Sequence, residues 1–249
     1  MGTRRTRRFW LCWALALAVT AVWTISASPV QTSQPVGGAA HGSYVALTFD
    51  DGPWPGTTNA LLDGLAQRGV RATFFLVGEQ VADRAETVRR MADEGHQIGL
   101  HTWHHVSLKG MTPDRITSQL DQTRAAIREI VGPVDLMLRP PYGFVDDTLR
   151  QWAKAPIICW SLDTEDWKDP TPSRITADIL RQVKDGDIIL MHDIFDTSVT
   201  AALAAVDQLL AQGYQLVTVE ELFAQRGQDP QPGEVYCSLP PAQKEEVEP

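Results

Sequence analysis

Seven short apolar runs, each separated from the next by a stretch long enough to hold a helix, constrain this chain more than any other feature. The runs are Tyr44–Phe49, Ala72–Val77, Gln97–Leu100, Asp135–Arg139, Ile157–Leu162, Asp187–Met191 and Gln215–Thr218. Between them lie amphipathic segments. In Pro113–Val131, Ile116, Leu120, Ile127 and Ile130 recur near a 3.6-residue period, and Ser198–Gln212 carries Ala202, Val206, Leu209 and Leu210. The charges on such segments (Arg124, Arg128 and Glu129; Arg89, Arg90 and Glu94) read as solvated faces. Strands separated by helices of this length pair in parallel through right-handed crossovers. The rhythm therefore predicts an α/β fold, a distorted or incomplete (β/α) barrel of about seven strands in a single domain. No Gly-x-Gly-x-x-Gly follows the first run and no phosphate loop occurs, so nucleotide binding has no support.

Both ends of the chain fall outside this rhythm. Arg4, Arg5, Arg7 and Arg8 precede an uncharged apolar run from Phe9 to Ile25 and then the small residues Ser26-Ala27-Ser28. That order reads as an export signal over residues 1–27, or as an uncleaved N-terminal anchor. Residues 28–42, rich in Pro, Gly, Ser and Gln, suit a flexible linker. Residues 43–224 would form the catalytic domain, and residues 225–249 a Pro-rich acidic tail or wrap-around extension. The formal charge of the 249 residues is −9; without the four arginines of the signal, 18 basic residues face 31 acidic ones, a net −13. So acidic a chain would approach a nucleic acid against its own field, and no nucleic-acid partner is expected. A membrane contact is expected only through the N-terminal segment, and a monomer is expected in solution. Cys159 and Cys237 could pair in an oxidising compartment, yet Cys159 also suits a buried free thiol in a strand.

Five polar clusters fall where apolar runs end, which is where a (β/α) barrel gathers its reactive groups. The first is Thr48-Phe49-Asp50-Asp51-Gly52-Pro53. Adjacent carboxylates repel, so one needs a cation while the other can serve as a base; alone, the segment could equally be a turn. In His101-Thr102-Trp103-His104-His105, a helical turn would bring His101 and His105 to one face and send His104 elsewhere. Two imidazoles and a carboxylate make a three-ligand metal site with a position left for water. Arg139-Pro140-Pro141-Tyr142-Gly143 offers a guanidinium to a carboxylate and a rigid loop whose N–H groups could stabilise an oxyanion. Asp163-Thr164-Glu165-Asp166-Trp167 could line a sugar cleft or cap a helix, and Ile188–Asp193 delivers His192 at a strand end, as a general acid requires. A two-His, one-carboxylate set also serves non-haem iron oxygenases, but those need neither a neighbouring Asp50 nor a distal His192.

Taken in this order from Ser43 to Phe223, the five clusters resemble the motifs of the polysaccharide deacetylase family, the NodB-homology or carbohydrate esterase family 4 group. Two positions depart from its pattern: Leu100 stands where Asn is frequent, and His104 where Ser or Thr is usual. The resemblance implies that Asp51, His101 and His105 hold a divalent metal, usually Zn2+, with Co2+ or another divalent ion possible. It implies Asp50 as the general base acting on the metal-bound water, Arg139 as the partner of Asp50, and the Tyr142 main-chain N–H as an oxyanion donor. His192 would protonate the departing amine with Asp166 tuning it, and Arg71 would pair with Asp166. Trp167 and Leu190, with Tyr142, would frame the pocket for the acetyl methyl. The implied activity is an exported metal-dependent deacetylase acting on a polysaccharide that contains N-acetylglucosamine, such as peptidoglycan, chitin oligomers or an exopolysaccharide. An O-deacetylase of the acetyl-xylan type and a binding module that has lost catalysis are the alternatives.

Overall fold

A strand covered on both faces is apolar along its length instead of alternating, and Ser43–Asp50 (β1) is buried from Val45 onward. The structure, a computed structural model, describes residues 42–241. The other strands are Thr73–Leu76 (β2), Gln97–Leu100 (β3), Ile157–Ile158 (β4), Leu162–Asp163 (β5), Ile188–His192 (β6), Tyr214–Val217 (β7) and Val235–Tyr236 (β8). The helices are Pro55–Arg68 (α1), Gly78–Asp83 (α2), Ala85–Asp93 (α3), Pro113–Val131 (α4), Asp147–Trp152 (α5), Pro172–Gln182 (α6), Asp196–Ala211 (α7) and Val219–Gln225 (α8). All strand pairs are parallel. β1 is central: β6 lies along one edge, while β2 and β7 share the other.

The main path runs β3-β2-β1-β6-β5, and isolated bridges from Leu100 to Leu138 and from Leu138 to Ile157 carry it on to β4. Because β4 and β5 are successive pieces of one extended segment, the path returns on itself as a distorted (β/α) barrel. Phe49 and Phe74 stack between β1 and β2 with ring centroids 5.3 Å apart. The helices pack apolar stripes on the outside. α4 begins with Pro113, whose missing N–H is free of cost in a first turn, and buries Ile116, Leu120 and Ile127. α8 opens with a Thr218–Glu221 capping box.

Two expected strands are corrected. Asp135–Arg139 contributes only the bridging residue Leu138, and Ile157–Leu162 divides into β4 and β5. Both departures arise because this stretch changes partner midway. The Ile158 N–H donates to Leu138 O (2.7 Å), whereas the Ser161 N–H donates to Ile188 O (3.0 Å). The intervening carbonyls of Ile158 and Cys159 accept from the Arg139 side chain instead of a strand.

The expected export segment or anchor and nearly all of the 28–42 linker lie outside the described residues. No helix among the described residues is long and apolar enough to cross a membrane. Packed structure continues past residue 224: β8 lies along β4, and the buried Leu239 donates its N–H to Gly186 O (2.8 Å) while its carbonyl accepts from Arg226 (2.8 Å). Gly186 has a φ of +90°, and a Cβ there would collide with the Leu239 carbonyl. Gly69 has a φ of +63° with open space around it. Gly69→Ala should therefore cost about 1–2 kcal/mol for the left-handed backbone alone. Gly186→Ala should cost clearly more, because the C-terminal segment must also lift; urea unfolding of the two variants measures the difference.

Candidate active site

The carboxylates, imidazoles and guanidinium of the site stand at the C-terminal end of a strand or in the loop that follows, as the parallel barrel dictates. The in-register pair Asp50 and His192 closes β1 and β6. Asp51 follows β1, His101 and His105 follow β3, and Arg139 follows the Leu138 bridge. Asp166 and Trp167 follow β5.

Asp51, His101 and His105 each offer a ligand atom, and these atoms lie within 4.8 Å of one another. Asp51 Oδ1 is 3.4 Å from His101 Nε2 and 3.1 Å from His105 Nε2. It is also buried with no hydrogen-bond partner. An orphaned carboxylate oxygen facing two imidazole nitrogens is the donor set that a divalent cation satisfies. Burial raises the Asp51 carboxyl, but the two imidazoles outweigh it and hold it well below the usual carboxylate range. His101 Nδ1 lies 2.7 Å from Arg139 O, a contact that fixes the ring and aims Nε2 at the site. The helical turn expected over 101–105 is absent. Thr102 (φ 63°) and His105 (φ 53°) take left-handed conformations, and these bends bring the imidazoles together. His104 points outward toward Gln119 and Glu79.

On one side of this cluster, Arg139 is completely buried. Its Nη1 donates to Asp50 Oδ1 (2.9 Å) and Thr48 Oγ1 (2.6 Å), while Nε and Nη2 donate to Ile158 O and Cys159 O. The guanidinium lies 4.2 Å over the Phe75 ring. Asp50 Oδ1 is thus held by Arg139, while Oδ2 is 3.7 Å from His101 Nε2.

On the other side, His192 Nδ1 lies 2.7 Å from Asp166 Oδ1. Asp166 Oδ2 accepts from the His192 N–H (2.8 Å) and Ser198 Oγ (2.6 Å). Burial lowers the His192 imidazole, but the Asp166 hydrogen bond and charge, with Asp50 and Asp51 nearby, reverse this and raise it to about 9. Asp166 moves oppositely: burial raises it, and the His192 contacts prevail and lower it. Arg174 shapes the loop carrying Asp166 and Trp167 by donating to the carbonyls of Thr164, Glu165 and Asp169.

The expected Arg71–Asp166 pair does not form. Arg71 precedes β2, at the opposite end of the barrel from the site, and pairs with Glu221 at the surface. Ser198 and the His192 main chain satisfy Asp166 instead. Asp50, Asp51, His101, His105 and His192 line one pocket of about 440 Å3 together with Tyr142, Leu190 and Trp167, while Arg139 and Asp166 are buried behind it. Tyr142 sits at φ 65°, its ring 5.2 Å from that of His105.

Several contributors were not visible as site residues in the sequence. Thr48 carried a signal, since it lies two residues before Asp50 and so faces the same side of the strand. Trp160 and Phe195 complete the walls. Asp193 is fully buried against Gly52, accepts from Thr58, and is pushed by burial up to about 7. Ser198 gave no signal, because only the return of α7 against the β5 loop brings it to Asp166.

A family model described as polysaccharide deacetylase matches residues 37–156. The chain is 43% identical over 178 residues to the peptidoglycan-N-acetylmuramic acid deacetylase PdaC of Bacillus subtilis, covering 72% of this chain. It spans about two fifths (38%) of that relative's length. A peptidoglycan-N-acetylglucosamine deacetylase of Bacillus cereus is 35% identical over 188 residues, covering 72% of this chain and 87% of that one. Among solved structures, a family 4 acetyl xylan esterase from Clostridium thermocellum in complex with a cobalt ion superposes with a TM-score of 0.76 at 34% identity. That match covers 79% of this chain and 99% of the other. With the Bacillus cereus relative matched at 35% identity over 87% of its length and the same barrel beneath, the chain belongs to the polysaccharide deacetylase family.

Proposed function

We propose that the chain is a metal-dependent hydrolase that removes N-acetyl groups from a polysaccharide containing N-acetylglucosamine, releasing acetate. The observation that carries this reading is the division of one pocket: an Arg139-held carboxylate, Asp50, on one side of the Asp51–His101–His105 cluster, and an Asp166-held imidazole, His192, on the other. Under the same reading residues 43–224 form the catalytic domain, residues 1–27 direct export or tether the chain, and it works outside the cytoplasm on the cell wall. Relatives named for peptidoglycan and chitooligosaccharide deacetylation support the substrate class.

An amide is a poor electrophile and its nitrogen a poor leaving group. A zinc or cobalt ion held by Asp51, His101 and His105 would polarise the acetyl carbonyl and lower the pKa of water. Asp50, kept in place by Arg139, takes the proton of the attacking water. The Tyr142 N–H, turned by its left-handed backbone, serves the developing oxyanion. His192 donates the proton that lets the amine depart, and Asp166 holds its Nδ1 so that Nε2 faces the pocket. Leu190 and Trp167 bound the space for the acetyl methyl. Hydrolysis of O-acetyl esters is a second reading, favoured by the likeness to the acetyl xylan esterase. An alkoxide leaves with less help than an amine, so His192→Ala should spare ester substrates more than amides.

Acetate release from a panel of acetylated glycans tests the reading. Zinc-loaded protein should release acetate from N-acetylglucosamine oligomers or peptidoglycan, and Asp50→Asn should lose about 10²–10⁴-fold in kcat. If no acetylated saccharide is hydrolysed, or Asp50→Asn equals the parent, the reading is wrong.

Metal and proton roles separate by variant. His105→Ala should lose bound metal, measured by elemental analysis, whereas His192→Ala should retain it and lose most turnover. Equal metal loss in both would remove His192 from the acid role.

The pH profile follows from the His192 shift. His192 donates only while protonated, so kcat/KM should hold below and fall as pH rises through about 9. Asp166→Asn removes the main interaction that raises this imidazole, so the alkaline limb should move to lower pH. An unmoved limb would assign it to another group.

A further inference from the structure

The chain runs directly from β8 into Cys237 and from β4 into Cys159. The parallel register pairs Ile157 with Val235 and Ile158 with Tyr236. The next position in that register therefore sets Cys159 opposite Cys237, and the Cys159 N–H donating to Tyr236 O (2.8 Å) extends the pairing to that point. Paired residues on neighbouring strands point to the same face, with strands about 4.8 Å apart. That spacing lies inside the Cα–Cα window of roughly 4.4–6.8 Å that a disulfide requires. The Cys237 thiol is near enough to Cys159 to raise its thiol further than burial alone does. Cys159 is buried and Cys237 is exposed, so one sulfur is open to reagents and the other lies behind it.

We propose that Cys159 and Cys237 are a modification site, oxidised to a disulfide that staples the C-terminal segment to the barrel. The oxidant class is a small-molecule or protein disulfide. The thiolate of Cys237 attacks one sulfur of the oxidant, breaking its S–S bond and releasing a first thiolate. Cys159 then gives up its proton and attacks the Cys237 sulfur of the mixed disulfide, releasing a second thiolate. Two protein thiols are oxidised, and the two protons they give up are taken by the two released thiolates, so that one external disulfide is reduced to two thiols. Burial, with the neighbouring Cys237 adding to it, pushes the Cys159 thiol up to about 11, which agrees with exposed Cys237 as the point of entry.

The position of the bond gives it a consequence beyond the tail. The Cys159 carbonyl accepts from Arg139 Nη2 (2.9 Å), and Ile158 O accepts from Nε. A covalent tie at Cys159 therefore braces the backbone on which the buried guanidinium rests. The segment it secures is also held by the two-residue β8, the Asp187–Ser238 bridge, the Leu239–Gly186 hydrogen bond, the Arg226–Leu239 contact and the Phe223–Tyr236 ring pair. This inference stands independently of the deacetylase reading.

The test uses the full chain equilibrated with oxidised glutathione, alkylated after denaturation without reductant, and digested with trypsin. The peptides 155–168 and 227–244 should be recovered joined and lacking two hydrogens, with Cys12 outside the bond. Reduction should lower the melting temperature by about 5–10 °C. Cys237→Ser should melt at the reduced protein's temperature whether or not reductant is present. Hydrogen exchange should quicken on reduction at residues 157–160 and 235–239 while β1 stays protected. Recovery of both peptides singly alkylated, or of either joined to Cys12, overturns the site. A linked peptide with no reductant-sensitive melting overturns the staple.

Discussion

A guanidinium buried without exposure is costly unless its nitrogens find acceptors, and the barrel supplies at least one to each nitrogen of Arg139. Asp50 neutralises it, Thr48 accepts beside Asp50 from Nη1, and the carbonyls of Ile158 and Cys159 accept from Nε and Nη2. Those two carbonyls are freed from strand pairing where the barrel passes from Leu138 to β6, so the irregularity in the sheet is the seat of the charge. The same residue offers its own carbonyl to His101. One side chain and its backbone thereby link the carboxylate on one side of the pocket to the imidazole that faces Asp51.

The opposite wall is built on different terms. His192 leaves the end of β6, but its orientation is decided by a loop and a helix: Asp166 from the first, Ser198 from the second, with Arg174 gripping the loop's carbonyls. The four carboxylates Asp50, Asp51, Asp163 and Asp166 gathered here account for part of the chain's acidity. Arg139 pairs with Asp50 and His192 with Asp166, the cluster around Asp51 suits a cation, and Asp163 accepts from the Glu165 N–H.

Sequence patterns were legible where a segment keeps one environment throughout. β3 and α4 have the limits read from their residues, since the first is buried along its whole length and the second opens on proline and keeps a single apolar stripe. Periodicity could not register a segment that exchanges partners midway, so 135–139 and 157–162 were read as whole strands. The His101 and His105 pair was legible as a ligand pair but not in its backbone, because left-handed residues other than glycine leave no composition signal. Arg71 misled because lying next to a strand does not say which end of it a residue occupies. Ser198 stayed hidden for the complementary reason: its partner is 32 residues away in the chain.

Six non-glycine residues among those described have a positive φ, and five of them, Asp51, Thr102, His105, Tyr142 and Glu165, stand in the loops of the site. Each such backbone costs on the order of 1 kcal/mol that glycine would not incur. Glycine is nevertheless excluded wherever the side chain is the ligand or the wall. The pocket is thus held together by the rest of the barrel against its own local preference, and the chain gives up stability to keep it. Selection for a more heat-resistant protein would find some of its readiest gains at these five positions, at the expense of the ligands and the wall that Asp51, His105 and Tyr142 supply.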